Sequence, residues 1–175
     1  CIHYAKGGDL HMVANKFLGT QFGFWLNVTE GETGTIMFNN NSFEQQRTNS
    51  IRIQQNAAGI NFGNVNICGN QFAFSAGGTP QSNIDIVAGT PGGGAPTWIK
   101  NVAITGNTFN VTVTTANANI NVQDGNGVTI SGNAMNNNGF ANRQGISVGG
   151  NALSVKVSGN DVANCLGARY TDSTF

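Results

Sequence analysis

One short phrase recurs along this chain and limits what the chain can fold into. Its fullest form is Val-x-Ile-x-Gly-Asn-x-Phe, as in residues 102–109. The asparagine of the phrase occurs six times, at Asn15, Asn41, Asn70, Asn107, Asn133 and Asn160. Successive copies are 26, 29, 37, 26 and 27 residues apart, and a nearly fixed period in this range is typical of stacked repeats. The sequence therefore predicts a solenoid with a basic coil of 26 to 27 residues and two longer coils.

The residues inside the phrase predict β-strands. Apolar residues alternate with polar ones before a Gly-Asn corner, and no apolar stripe has the i, i+4 spacing of a helix. We expect two inward columns to form the core, namely Leu10, Ile36, Val65, Val102, Val128 and Val155, then Met12, Phe38, Ile67, Ile104, Ile130 and Val157. Connections between parallel strands are almost always right-handed. The predicted fold is all-β, a right-handed single-stranded parallel β-helix of about six to seven coils.

Further columns follow from the same alignment. The repeated asparagines should stack as a ladder of side-chain amides, and the residues two positions later, mostly phenylalanines, should stack at about 4.8 Å. A second strand recurs in the segments 2–4, 24–26, 51–53, 84–86, 120–122, 146–148 and 168–170. Because the chain starts with this second strand and has no initiating Met, we interpret residues 1–175 as a single β-helix domain from a longer chain.

Composition narrows the classes of function. The net charge is zero and only 9% of the residues are charged, so the chain has no basic field that would attract nucleic acid. No apolar stretch is long enough for a membrane helix, and we expect no membrane insertion. The three cysteines, Cys1, Cys68 and Cys165, lack the paired spacing of a zinc site. We therefore expect neither a metal nor another cofactor.

The repeats at 102–109, 128–133 and 155–160 read Val-Ala-Ile-Thr-Gly-Asn-Thr-Phe, Val-Thr-Ile-Ser-Gly-Asn and Val-Lys-Val-Ser-Gly-Asn. They resemble the right-handed parallel β-helix superfamily that includes pectate lyases, epimerases and bacteriophage tailspikes. The Gly- and Asn-rich surface, the irregular insertions and the scarcity of charge are most similar to a bacteriophage tailspike or prophage receptor-binding protein. This resemblance implies a homotrimer at a virion tail or extracellular surface. It also implies attachment to bacterial surface polysaccharide and, in many relatives, its cleavage.

The outward positions of the second strand suggest a recognition surface. In coil order they are His3, Trp25, Arg52, Asp85, Asn121, Ser147 and Arg169. An indole offers a flat apolar face to a sugar ring, and Arg, Asp and Asn offer planar hydrogen-bonding groups to hydroxyls. Adding the tryptophan of the long Gly-rich insertion, the residues predicted to bind carbohydrate are Trp25, Arg52, Asp85, Asn121 and Trp98. The alternative is that Arg52 and Asp85 form an exposed salt bridge, that a neighbouring chain covers Trp25, and that Trp98 packs its own loop.

Catalytic residues are harder to place. Glycoside hydrolases use two carboxylates about 5 to 9.5 Å apart, and no two of the eight acidic residues here share a column on neighbouring coils. The densest acidic group, Asp9, Glu30 and Glu32, supplies the candidate catalytic residues. The alternative is that Glu30 and Glu32 are solvated loop residues.

Three hypotheses about function remain open. The preferred one is recognition of surface polysaccharide for host attachment. The second is a polysaccharide lyase or glycoside hydrolase, whose catalytic residues lie partly on missing coils or on a neighbouring subunit. The third is a purely structural stalk or adhesin. The repeated motif cannot choose between them, because it consists of core and corner residues.

Overall fold

The computed structural model describes residues 2–4, 8–28, 34–55, 62–74, 82–88, 99–112, 118–136, 145–150, 152–163 and 170–172. The first ten strands are β1 (Ile2–Tyr4), β2 (Leu10–Val13), β3 (Lys16–Leu18), β4 (Phe22–Val28), β5 (Ile36–Asn39), β6 (Ser42–Glu44), β7 (Asn49–Gln55), β8 (Phe62–Cys68), β9 (Gln71–Phe74) and β10 (Ser82–Ala88). The next nine are β11 (Ile99–Thr105), β12 (Thr108–Val111), β13 (Ile120–Val122), β14 (Gly125–Ser131), β15 (Ala134–Asn136), β16 (Ile146–Val148), β17 (Leu153–Ser158), β18 (Asp161–Ala163) and β19 (Tyr170–Asp172). These ranges contain no helix, and thus none that is long and apolar enough to cross a membrane.

The described strands form three parallel sheets. Sheet A contains β1, β4, β7, β10, β13, β16 and β19; sheet B contains β2, β5, β8, β11, β14 and β17; and sheet C contains β3, β6, β9, β12, β15 and β18. Successive strands of a sheet come from successive coils, and each strand pairs in parallel with its neighbours in that sheet. The chain is therefore a parallel β-helix, as the repeat predicted.

The core follows the predicted columns. In sheet B, Ile36 lies opposite Leu10 on one side and Val65 on the other. The central members of both columns are buried, namely Ile36, Val65, Val102 and Val128, then Phe38, Ile67, Ile104 and Ile130. The remaining members, Leu10, Met12, Val155 and Val157, are partly buried and pack against this core. Alternation of side chains along each strand is thus what separates core from surface.

The asparagine ladder is continuous from Asn15 to Asn160. At a typical step, the backbone N–H and Nδ2 of Asn107 donate to Oδ1 of Asn133 at 3.0 and 2.9 Å, and Nδ2 also donates to the carbonyl of Ile67 at 2.9 Å. The other four steps repeat the amide-to-amide contacts. The ladder confirms the prediction and supplies partners to the amides of the four buried members, Asn41, Asn70, Asn107 and Asn133.

The corner itself requires a left-handed backbone. The residue preceding each ladder asparagine has φ between 56° and 66°, at Ala14, Asn40, Gly69, Gly106, Gly132 and Gly159. Glycine adopts this region without steric cost, and asparagine tolerates it better than most residues. The Gly-Asn pair of the repeat therefore specifies one corner of each coil.

The predicted aromatic column is also present. The rings of Phe17 and Phe43 stack with centroids 4.6 Å apart, those of Phe43 and Phe72 are 5.1 Å apart, and those of Phe72 and Phe109 are 4.7 Å apart. A Cβ atom on Gly23 would lie 2.7 Å from Cδ1 of Phe43. Glycine is therefore required where the start of sheet A passes over the stack.

The final strand of sheet A corrects the alignment made from the sequence. Tyr170 pairs with Ile146 and Thr171 pairs with Ser147, whereas the predicted segment 168–170 was displaced by two residues. A shift of two positions keeps the same inward and outward alternation, so the pattern alone did not reveal it. Tyr170 therefore takes the register position opposite Ile146, and Arg169, which was predicted to follow Ser147, lies outside the described residues.

A second buried polar ladder, which the sequence analysis did not identify, runs along the start of sheet A. Nδ2 of Asn83 donates to Oδ1 of Asn119 at 2.9 Å, and the Ser50 hydroxyl lies 3.4 Å from Oδ1 of Asn83. All three side chains are buried. The asparagine occurs on only two neighbouring coils and the preceding coil has Ser50 in its place, so the repeat did not indicate the ladder.

Candidate functional site

The outward residues of sheet A form a row across neighbouring coils. Trp25 pairs with His3 and Arg52, and Asp85 pairs with Arg52 and Asn121. A second outward row lies two residues further along each strand. We define the sheet A face as the outward positions of β4, β7 and β10 together with those of β13 and the residue after it. These are Trp25, Asn27, Arg52, Gln54, Asp85, Val87, Asn121 and Gln123.

Asp85 is the centre of a polar network that joins three coils. Its Oδ2 lies 3.1 Å from Nη1 of Arg52 on the preceding coil. Its Oδ1 accepts a hydrogen bond of 2.8 Å from Nδ2 of Asn121 on the following coil. Asp85 is only 5% exposed, so its carboxylate orients its two neighbours and is not itself an open contact for a ligand.

The environment of Asp85 changes the pKa of its carboxyl group. Burial raises the pKa of Asp85 above its ordinary value of 3.8, and the hydrogen bond from Asn121 and the charge of Arg52 offset part of that increase. The side chains of Asp85 and Arg52 are 7% and 23% exposed. The salt bridge of the alternative therefore forms, but it is largely buried instead of exposed. Removing either partner would leave a charge that is largely buried and unpaired.

Two glutamines extend the network along the second outward row. Nε of Arg52 donates to Oε1 of Gln54 at 3.2 Å, and Nε2 of Gln123 donates to Oδ1 of Asn121 at 2.7 Å. Gln54 and Gln123 were missed in the sequence analysis. Each lies two residues after a residue that was identified, so strand alternation would have placed both on the same face.

Trp25 supplies an aromatic surface one coil away from the ion pair. Its ring stacks against the ring of Phe22 with centroids 5.2 Å apart and an interplanar angle of 28°. Trp25 is half-buried and lies opposite Arg52 in the register. The indole is therefore held in a fixed position beside the polar network.

The strand pair β7 and β10 carries further buried polar groups. Asn49 and Ser82 lie opposite one another and are fully or almost fully buried. Nδ2 of Asn49 donates to the carbonyl of Ser82 at 2.9 Å. Within the described residues, Oδ1 of Asn49 and the Ser82 hydroxyl have no hydrogen-bond partner, and each such group costs about 1–3 kcal/mol. Asn49 and Ser82 lie two residues before Ile51 and Ile84 of the core, so strand alternation places them on the inward side and not on the sheet A face.

Of the acidic group proposed for catalysis, only Asp9 lies within the described part of the chain. Oδ1 of Asp9 accepts a hydrogen bond of 2.7 Å from the backbone N–H of Thr35, which ties two neighbouring coils together. Glu30, Glu32 and Trp98 lie outside the described residues. Their roles in catalysis and binding stay predictions. Among the described side chains, no group of three or more His, Cys, Asp or Glu residues is arranged to hold a metal ion.

No protein-family model, curated protein or solved structure matches this chain. The class of protein is therefore defined by its fold, a parallel β-helix. The sheet A face is the part of its described surface where a polar network and an aromatic ring coincide.

Proposed function

We propose that this chain is the β-helical segment of a tailspike-like attachment protein and that its sheet A face binds bacterial surface polysaccharide. The network from Gln54 through Arg52, Asp85 and Asn121 to Gln123 is the observation that carries the proposal. Planar donors and acceptors of this kind match the hydroxyl groups of a sugar. The adjacent indole of Trp25 offers an apolar surface for a sugar ring.

The repetition of the coil suits a polymeric ligand. Neighbouring strands of sheet A are about 4.8 Å apart, so the face presents polar groups at a constant step along the axis. An extended polysaccharide can contact several coils at once. Contacts that are weak individually then act together, because the later ones form within a complex that already exists.

The chemistry of this face favours binding over cleavage. Glycoside hydrolysis uses two carboxyl groups on either side of the scissile bond. Within the described sheet A face the one carboxylate is Asp85, which is buried and paired with Arg52. Removing a proton from water or donating one to a leaving group would require Asp85 to give up these partners. We therefore assign the face to recognition.

The biological setting in the proposal rests on the motif. The Val-x-Ile-x-Gly-Asn copies resemble those of tailspikes and prophage receptor-binding proteins. From that resemblance we propose a homotrimer at a virion tail or extracellular surface, where the face would attach the particle to its host.

The test of the proposed function is glycan binding by the intact protein and by the Trp25→Ala variant. Wild-type protein should bind a subset of bacterial surface polysaccharides on a glycan array. Calorimetry with the best polysaccharide should then show that Trp25→Ala weakens binding about tenfold, which is about 1.4 kcal/mol. The control is Leu18→Ala, which removes an exposed apolar side chain from sheet C and should leave affinity unchanged.

Two results would count against the proposal. One is that the wild-type protein binds no polysaccharide on the array. The other is that Trp25→Ala and Leu18→Ala have the same effect while both variants retain the wild-type thermal unfolding temperature.

A further inference from the structure

We infer that the sheet A face selects neutral over acidic polysaccharides, with the Arg52–Asp85 ion pair as the selectivity element. This inference rests on the proposed function, since it concerns which sugars the same face accepts. It assigns Asp85 as a positioning residue that acts on a ligand through Arg52 and Asn121.

The first argument is the charge of the face. Among its eight residues, Arg52 and Asp85 carry opposite charges, and the others are amides, Trp25 and Val87. The two charges lie 3.1 Å apart and cancel. A surface without net charge gives no long-range attraction to a polymer that carries a carboxylate on each repeat.

The second argument is competition for the guanidinium group. Arg52 already contacts Oδ2 of Asp85 through Nη1 and Oε1 of Gln54 through Nε. A sugar carboxylate that took Asp85's place would leave the Asp85 carboxylate buried without its cation, which is strongly unfavourable. The incoming carboxylate would also lie close to a second negative charge. Acidic sugars are therefore disfavoured by the same pair that fixes the position of Arg52.

The third argument is that neutral hydroxyl groups need no such exchange. A guanidinium has five N–H donors and a side-chain amide has two. A hydroxyl can accept from these donors at the partly exposed edges of Arg52 and Asn121 while the ion pair stays intact. The network is held in place before the ligand arrives, so little ordering is required on binding.

The experiment measures the intact wild-type protein against matched pairs of polymers. Polygalacturonate and alginate are each immobilised beside their carboxyl-reduced forms, which keep the backbone and lose the charge. For every pair that is bound, the neutral form should bind at least tenfold more tightly at neutral pH and moderate salt. Tighter binding to the acidic form of a pair would overturn the inference.

The variant Asp85→Asn tests the assigned residue. It keeps the size of the side chain and leaves Arg52 without a counter-ion, so the ratio of acidic to neutral binding should rise at least tenfold. Asp161→Asn is the control, because it removes one exposed carboxylate from sheet C and changes the net charge equally. Its ratio should equal that of the wild type.

The outcomes separate this inference from the proposed function. Tight acidic binding that Trp25→Ala weakens would leave carbohydrate recognition standing and overturn the charge selectivity. An unchanged ratio in folded Asp85→Asn would also overturn it. Absence of binding to both forms of both pairs would overturn this inference, and absence of binding on the array as well would overturn the proposed function too. If Asp85→Asn does not fold, the wild-type comparison of matched pairs still decides the question.

Discussion

At the scale of single residues, buried polar side chains play two different parts in this chain. Asn107 belongs to a ladder in which each amide donates and accepts along the coil axis. Asp85 has no equivalent on neighbouring coils and depends on two unlike partners, Arg52 and Asn121. The ladder therefore serves the fold, whereas Asp85 adds polar burial that the fold does not require.

Asp85 should give the protein an unusual dependence of stability on pH. Its pKa is raised in the folded state, mainly by burial, so the folded state holds this proton more tightly than the unfolded state. Between the ordinary value of 3.8 and the higher folded value, the folded state carries more protons. The free energy of unfolding contributed by Asp85 therefore falls as pH rises through that window.

Urea unfolding of wild type and Asp85→Asn across the acidic range measures this contribution directly. The wild type should lose stability relative to the variant as pH increases above 3.8, and the difference should become constant above the folded pKa. Asp161→Asn controls for loss of a surface carboxylate. If the wild type instead gains stability relative to Asp85→Asn as pH rises, pairing with Arg52 has a larger effect on the pKa of Asp85 than burial has.

At the scale of structural elements, the aromatic column should contribute most at its centre. Phe72 is 1% exposed and stacks between Phe43 and Phe109 at 5.1 and 4.7 Å. Phe72→Ala should lower the free energy of unfolding by about 3–5 kcal/mol, the usual cost of deleting a buried ring. Phe17→Ala is the matched comparison, because Phe17 is only half-buried and should cost less. Equal losses in chemical denaturation would argue against a continuous stack.

The elements that could be predicted from the sequence are those whose position is fixed by the repeated phrase. The core columns, the asparagine ladder and the aromatic stack all follow from one alternation and one corner per coil. The position of β19 was missed because a two-residue shift preserves alternation, and Tyr170 rather than Ala168 meets Ile146. Local pattern therefore determines the strands better than it determines their register.

The candidate site was only partly predictable for a different reason. The order of Trp25, Arg52, Asp85 and Asn121 across the coils follows from counting residues along the repeat. The burial of Asp85 does not, because exposure depends on what covers an outward position in three dimensions. Sequence alternation marks a residue as outward, and only the folded coils show that an outward carboxylate is 5% exposed.

At the scale of the whole molecule, residues that are far apart in the sequence lie close together when they occupy equivalent positions on neighbouring coils. Lys16 and Asp161 occupy one column of sheet C, through Ser42, Gln71, Thr108 and Ala134. The column contains five steps of about 4.8 Å. The outward residues of each sheet likewise follow one another in the order of the coils. The proposal that sheet A carries a ligand-binding face depends on this stacking of coils.

The most direct test is a spin-label distance between Lys16→Cys and Asp161→Cys, in protein whose three native cysteines are replaced by serine. Pulsed electron paramagnetic resonance should give a narrow distribution centred near 24 Å, apart from the length of the labels. Moving the first label to Ser42→Cys should shorten the distance by about 5 Å, one coil step. A separation above about 40 Å, or no shortening on moving the label, would contradict stacked parallel coils.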